Sequence, residues 1–187
     1  KKLIEVMTGI LQDKLYIEQL NEAISLSEKT EIGKYAPFFS LPNIKGEKIT
    51  RSSEDFKKKN LLINFWASWG DSISNHQSNT ELKEIYQKYK KNKHIAMLGI
   101  SLDMDKQEWQ DAIKRDTLNW EQVCDFGGLN SEVAKQYAIK QVPNNILLSA
   151  DGKILAKNLK GEQLKKKIEE VVTAAEEKEK QDNKKKK

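Results

Sequence analysis

The chain has 187 residues, of which 37% are hydrophobic and 33% charged, and its formal net charge is +5. This length and composition predict one domain of ordinary size with a heavily solvated surface. The absence of a basic patch interleaved with aromatic residues disfavours nucleic-acid binding, and the absence of a run of about 18 apolar residues disfavours a membrane span. A single cysteine, Cys124, excludes an intrachain disulfide, and with only two histidines we expect neither a metal nor a cofactor.

The amino-terminal segment predicts an amphipathic helix over residues 3–27, because its apolar residues recur near the helical period. We predict a linker helix over residues 1–30, a globular domain over 31–175 and a charged, disordered tail over 176–187. The tail is polar throughout and ends in four lysines, so it cannot bury apolar surface. Because the chain starts on a lysine rather than Met, we expect a processed or trimmed fragment.

The globular domain is predicted to begin with a β-hairpin, since residues 38–41 and 47–49 flank the turn-rich segment NIKG. The nearly continuous apolar run over 61–67 predicts a strand that is buried on both faces. A helix of roughly 18 residues is expected to follow from near Asp71.

The remaining predicted elements continue the alternation of strands and helices. They are a buried strand over 95–102, a helix from Asp105, a short strand over 120–124, a helix capped by Asn130 or Ser131, a hairpin of strands 145–149 and 153–157, and a final helix from Glu162. This order predicts an α/β fold with a mostly parallel centre and an antiparallel edge. Ligands of such sheets bind beyond the carboxyl ends of the strands, where residues 68–74 are expected.

A family resemblance is carried by four segments, which occur in the right order and spacing between residues 32 and 172. They are IGKYAPFFSLPNIKGEKI, LLINFWASW, WEQVCDFGGLNSEVAKQYAIKQVP and NNILLSADGKILAKNLKGEQL. They resemble the opening hairpin, the strand before W-C-x-x-C, the segment ending in a cis-proline, and the closing hairpin and helix of TlpA/ResA-type, AhpC/TSA-like thiol-disulfide oxidoreductases. The resemblance implies a thioredoxin-like fold, with a central mixed β-sheet flanked by helices, an N-terminal hairpin and a long N-terminal helix. It also implies an extracytoplasmic location, in the periplasm or cell envelope.

The redox motif of this family is missing from the chain. The family's first cysteine falls on Gly70 and its second on Ile73, whereas thiolate chemistry needs sulfur at the start of the helix. Between them, Asp71 and Ser72 are favoured helix N-caps, and Gly70 eases the turn. We therefore interpret these four residues as a degenerate site without catalytic cysteines.

The peptide-binding half of the family's site is retained in the sequence. Trp66 and Trp69 match its aromatic wall, and Val142-Pro143 matches the cis-proline loop that presents backbone to an extended peptide. The resemblance thus implies an accessory module that binds a peptide or protein partner without a redox step. The alternative, that these residues only hold the fold, stays open. A tether to a membrane through a region preceding residue 1 also stays open.

Two enzymatic alternatives remain, so the sequence leaves open whether the chain is an enzyme. The first is a genuine thiol-disulfide oxidoreductase that uses Cys124 or the thiol of a partner. Cys124, predicted at the carboxyl end of a strand, could act as a single redox thiol or could be a buried structural cysteine. Gly70-Asp71-Ser72-Ile73 also matches the nucleophile block of a GDSL-type serine hydrolase. That chemistry needs an oriented base; His76 could share a helix face with Ser72, but no histidine follows His94 to supply the family's second motif.

Overall fold

The computed structural model describes residues 14–69 and 72–185, and for residues 14–16, 23 and 72–77 it describes the backbone only. The α-helices in this part of the chain are α1 (Lys14–Lys29), α2 (Ser72–Tyr89), α3 (Lys106–Arg115), α4 (Glu132–Gln136) and α5 (Gly161–Lys185), and a short 3-10 helix covers Gly128–Asn130. The strands are β1 (Ser40–Pro42), β2 (Lys48–Thr50), β3 (Asn60–Trp66), β4 (Ile95–Ser101), β5 (Glu121–Cys124), β6 (Asn144–Leu148) and β7 (Ile154–Lys157).

The central sheet has five strands in the order β5-β4-β3-β6-β7. Strand β3 is parallel to β4, and β4 is parallel to β5. Strand β6 runs antiparallel to both β3 and β7, while β1 and β2 form the separate antiparallel hairpin. The predicted α/β class, the mixed sheet and the N-terminal hairpin are therefore confirmed.

Strand β3 lies at the centre because apolar side chains point to both of its faces. All seven of its residues are buried, and the five apolar ones divide between two hydrophobic clusters. Leu61, Ile63 and Phe65 belong to one cluster, whereas Leu62 and Trp66 belong to the other. Each fully buried aliphatic side chain stabilises the fold by about 1.5–3 kcal/mol, which explains the continuous apolar run.

A glycine on β4 makes room for a polar contact inside the second cluster. The Trp66 indole Nε1 donates to Gln122 Oε1 at 3.0 Å, and the Gln122 side chain crosses β4 at Gly99. A Cβ placed on Gly99 would meet Gln122 Oε1 at 1.9 Å. The missing side chain at this position therefore allows the tryptophan–glutamine hydrogen bond.

The long amino-terminal helix is observed as α1 over Lys14–Lys29; the rest of the predicted helix falls on residues 3–13, outside the described part of the chain. No helix within the described residues is both long and apolar enough to cross a bilayer.

The prediction of a disordered tail over 176–187 is wrong for residues 176–185, which continue helix α5; residues 186 and 187 lie outside the described part. Lysine and glutamate favour helices, and the extended turns contact the loop before β4. Glu176 Oε1 accepts from Asn92 Nδ2 at 3.2 Å, and Glu179 Oε1 accepts from Lys93 Nζ at 2.6 Å. The segment thus needs no apolar surface of its own, because it extends a helix that is already anchored.

Candidate functional site

The topology brings the predicted site residues to one edge of the sheet. The parallel strands β3, β4 and β5 end there. Because β6 is antiparallel and pairs Asn144 with Phe65, the residue before β6, Pro143, lies at the same edge. The Val142–Pro143 peptide bond is cis.

The degenerate motif itself is only partly described. Gly70 and Asp71 lie outside the described residues, while Ser72 and Ile73 form the start of α2 with side chains that are not described. The predicted helix cap and the hydrolase pairing of Ser72 with His76 therefore stay predictions.

The two tryptophans near this edge have different environments. Trp69 is 52% exposed, whereas Trp66 is only 3% exposed and its indole is hydrogen-bonded to Gln122. The interpretation of Trp66 as a groove wall is thus corrected: its side chain lies on the face of β3 that packs into the core. Trp69, three residues later and beyond the strand, is the tryptophan that solvent or a ligand can reach.

A cavity opens beside Pro143. It has a volume of about 610 Å³, and its lining includes Pro143, Asn145, Glu81 and Lys165. Val142 is partly buried and packs against the first hydrophobic cluster. Of the predicted dipeptide, Pro143 therefore provides cavity surface, while Val142 anchors the loop.

Cys124 is fully buried. Its Sγ accepts from the Phe126 amide at 3.3 Å and lies 3.5 Å from the carbonyl oxygen of Asp103. Burial raises the pKa of the thiol to about 11. Reactive cysteines are partly exposed and have lowered pKa values, so this environment matches a structural cysteine rather than a redox thiol.

Asp103 ties together the ends of two strands, a role that the sequence interpretation missed. It is fully buried, and its carboxylate accepts from the Ser68 amide at 2.9 Å, from Ser68 Oγ at 2.6 Å and from Ser101 Oγ at 2.6 Å. The sequence did contain an indication of this role, because Asp103 directly follows the predicted buried strand over 95–102. This cluster holds the segment that leads from β3 toward residue 70.

Glu81 is the second missed residue, and no sequence pattern distinguishes it from the other glutamates of a solvated helix. It lies on α2 and lines the cavity beside Pro143. Its Oε1 is buried and has no hydrogen-bond partner among the described residues, and burial, as the largest cause, raises the pKa of the carboxyl. Among the described residues, no group of three or more His, Cys, Asp or Glu side chains could hold a metal ion.

Comparison with known proteins gives a consistent set of relatives. Residues 58–154 match the family model described as thioredoxin-like. The thiol-disulfide oxidoreductase ResA of Bacillus cereus is 33% identical over 146 residues, which is 78% of this chain and 79% of the relative.

Two solved Bacteroides structures are more similar in sequence. The C-terminal domain of a protein assigned as a thiol-disulfide oxidoreductase from Bacteroides thetaiotaomicron is 79% identical, with a TM-score of 0.77, covering 78% of this chain and 99% of that one. A thiol-disulfide oxidoreductase from Bacteroides fragilis is 59% identical, with a TM-score of 0.71, covering 74% of this chain and 99% of that one.

Proposed function

Because the chain belongs to the thioredoxin-like family of ResA-type thiol-disulfide oxidoreductases, we propose that it is a redox-inactive member that binds an extended peptide or protein segment. The observation that carries the proposal is the open cavity beside Pro143 in a chain with Gly70 and Ile73 at the two cysteine positions of the family. A binding surface is retained where the exchanging thiols are not.

The lack of redox activity rests on the chemistry of the sulfur that remains. Disulfide exchange needs an accessible thiolate that attacks a disulfide sulfur. The chain has one cysteine, and its thiol is buried with a pKa raised to about 11. At neutral pH, little thiolate would form, and a partner's disulfide would have no path to it.

Peptide binding rests on the surface that the carboxyl edge of the sheet offers. Trp69 presents an exposed aromatic side chain, and the cavity beside Pro143 has a size typical of ligand sites, about 300–1,000 Å³. An extended segment lying across this edge could seat one side chain in the cavity and pack another against the indole.

Family membership also supports two broader parts of the proposal. We place the chain outside the cytoplasm, as the ResA resemblance implies, and regard it as an accessory module of a larger protein. The Bacteroides thetaiotaomicron relative, which is a C-terminal domain, supports the second point.

Insulin reduction by dithiothreitol tests the redox part. We expect the chain and its Cys124→Ala variant to match the background without protein, because neither offers a usable thiolate. A double variant, Gly70→Cys with Ile73→Cys, restores the family's motif and should gain turnover. Turnover by the unmodified chain that disappears in Cys124→Ala would instead identify a monothiol oxidoreductase.

Selection from a displayed random-peptide library, followed by calorimetric titration of the selected peptides, tests the binding part. We expect Trp69→Ala to weaken binding about 10-fold or more, as removal of an aromatic anchor does. Tyr35→Ala is the matched control, because Tyr35 is 64% exposed but pairs with Lys153 near the opposite edge of the sheet. Equal effects of the two variants, or no selected peptide at all, would contradict a binding site beside Pro143.

A further inference from the structure

The amino ends of the parallel strands form the edge of the sheet that lies opposite to the proposed binding site. Strands β3 and β4 begin side by side there, because Asn60 pairs with Ile95 and the Asn60 amide donates to the His94 carbonyl at 2.8 Å. The loops that precede these strands are both rich in lysine, since residues 57–59 read KKK and residues 90–93 read KKNK. The fold therefore places two lysine-rich loops next to each other.

The carboxyl-terminal turns of α5 join the same edge. The helix runs from the carboxyl edge of the sheet, where Gly161 lines the cavity, to the loop before β4, where Lys93 Nζ donates to Glu179 Oε1 at 2.6 Å. It then continues over residues 180–185, which adds about 9 Å at 1.5 Å per residue and carries further exposed lysines. We use the name basic edge for the surface formed by residues 57–59, 90–93 and 180–185.

Most lysines of the basic edge have no acidic partner. Among the described residues, Lys57 and Lys93 are the two that form ion pairs, at 3.7 and 2.6 Å from glutamate oxygens. The acidic side chains of Asp55 and Asp182 offset part of the remaining charge, and the excess is positive. The lysines that form no ion pair with the described part of the chain are Lys58, Lys59, Lys90, Lys91, Lys180, Lys184 and Lys185.

The composition of the basic edge favours one class of anionic partner. None of the large exposed hydrophobic residues that the structure describes belongs to it, whereas base stacking and protein-interface hot spots depend on aromatic or other large anchors. It also contains no arginine, the residue whose planar fork holds a single phosphate through two hydrogen bonds. Clusters of lysine on flexible stems are instead attracted to the many mobile headgroups of an anionic membrane.

We propose that the basic edge binds the anionic headgroups of a lipid bilayer by electrostatic attraction, without inserting into the bilayer. Bound in this way, the domain holds its carboxyl edge, with Trp69 and the cavity beside Pro143, on the side that faces away from the membrane. This interaction goes beyond the proposed peptide-binding function and does not depend on it, because different residues carry it.

Co-sedimentation with lipid vesicles tests the proposal, using vesicles of phosphatidylcholine alone and vesicles that also contain phosphatidylglycerol. The basic-edge variant replaces three exposed lysines with glutamine, at Lys58, Lys90 and Lys91. The matched control variant makes the same change in charge at three exposed lysines of the segments that follow β4 and β5, at Lys106, Lys135 and Lys140. Circular dichroism and urea denaturation establish that both variants are folded.

We expect the unmodified chain to bind the phosphatidylglycerol vesicles and not the phosphatidylcholine vesicles. Added salt should release it, because the screening length falls from about 30 Å at 0.01 M to about 3 Å at 1 M. Each lysine near an anionic bilayer contributes roughly 5-fold to the affinity. The basic-edge variant should therefore bind at least about 10-fold more weakly, whereas the control variant should stay within about 3-fold of the unmodified chain.

Fluorescence quenching by acrylamide tests the orientation of the bound chain. Trp69 supplies the quencher-accessible emission, because the other tryptophans, Trp66, Trp109 and Trp120, are buried. Quenching should be equal for the free and the vesicle-bound chain, since Trp69 faces away from the bilayer. Protection of Trp69 on the vesicles would show that the carboxyl edge faces the membrane and would overturn the proposal.

Equal weakening by the basic-edge and control variants would show that net charge alone drives the attraction, and would overturn the basic edge as the binding surface. Failure to bind phosphatidylglycerol vesicles at low salt would overturn the membrane interaction itself. Tighter binding to duplex DNA than to these vesicles at the same salt concentration would do the same and would assign the surface to nucleic acid. Each of these results would leave the peptide-binding function standing, because selection and titration of peptides at Trp69 test it separately.

Discussion

The carboxyl edge of the sheet has a closed half and an open half, and each contains a tryptophan and a carboxylate. In the closed half, Trp66 is buried against Gln122, and Asp103 accepts hydrogen bonds from Ser68 and Ser101. In the open half, Trp69 is exposed, and Glu81, which lines a cavity, has one buried oxygen that receives no hydrogen bond from the described residues.

This difference shows that burial alone does not determine how a carboxylate contributes to the stability of the fold. A buried carboxylate whose hydrogen bonds are met inside the fold stabilises that fold, and it has nothing left to offer a partner. A buried carboxylate oxygen that receives no hydrogen bond, as at Glu81, instead makes an unfavourable contribution to the free energy of folding.

The largest expected effect comes from the tryptophans. Trp66→Ala should lower the free energy of unfolding by about 3–5 kcal/mol, since it opens a cavity in the core. Trp69→Ala should change it by less than about 0.5 kcal/mol, because the side chain is mainly in solvent. Urea denaturation followed by circular dichroism measures both. Similar losses for the two variants would show that the division into closed and open halves is wrong.

The carboxylates give the next largest difference, through two isosteric replacements. Asp103→Asn should lower the free energy of unfolding by about 2 kcal/mol, because an amide replaces an oxygen that accepts charge-assisted hydrogen bonds. Glu81→Gln should stay within about 0.5 kcal/mol, since it also removes a poorly matched charge. The same denaturation experiment applies, and a loss for Glu81→Gln as large as that for Asp103→Asn would assign Glu81 a structural role.

The thiol of Cys124 should have the smallest effect on the free energy of unfolding, and this effect is confined to alkaline pH. Burial raises its pKa from 9.0 to about 11, so the folded chain binds the thiol proton more tightly than the unfolded chain does. The stability that this contributes is complete below pH 9 and is lost as the pH rises toward 11. Denaturation across that interval should therefore show a steeper decline for the unmodified chain than for Cys124→Ala.

The other alkaline titrations, of lysine and tyrosine, are common to both proteins and cancel in this comparison. In the native chain, a thiol reagent at neutral pH should react with Cys124 far more slowly than in the unfolded chain. If the stability of both proteins changed with pH in the same way and the thiol reagent reacted rapidly with the native chain, Cys124 would be an accessible thiol that could take part in redox chemistry.

The fold was predictable because its elements depend on local patterns. The apolar run at 61–67 could pack only in the middle of a sheet, and Asp151-Gly152 set the turn of the closing hairpin. The prediction of a disordered tail was wrong for a physical reason. Composition indicates whether a segment can fold by itself, whereas residues 176–185 fold as part of a longer helix. They continue a helix whose core contacts lie upstream.

The site was less predictable, because its properties depend on directions of side chains that the sequence does not encode. Trp66 and Trp69 are equivalent in a motif, yet one points into the core and the other into solvent. Glu81 becomes distinctive only when Gly161, far away in sequence, closes over its carboxyl. The resemblance located the right edge of the sheet, and the geometry selected the residues.

The crossing of Gln122 over Gly99 has a consequence for how this chain can vary. Alanine at Gly99 would push Gln122 aside, since its Cβ would overlap Gln122 Oε1, and the indole of Trp66 would lose its acceptor. A shorter residue at 122 would make alanine acceptable at 99 but would still leave the indole without an acceptor, which favours phenylalanine at 66. The three positions are therefore epistatic: each replacement changes which replacements the other two tolerate, although the positions are widely separated along the chain.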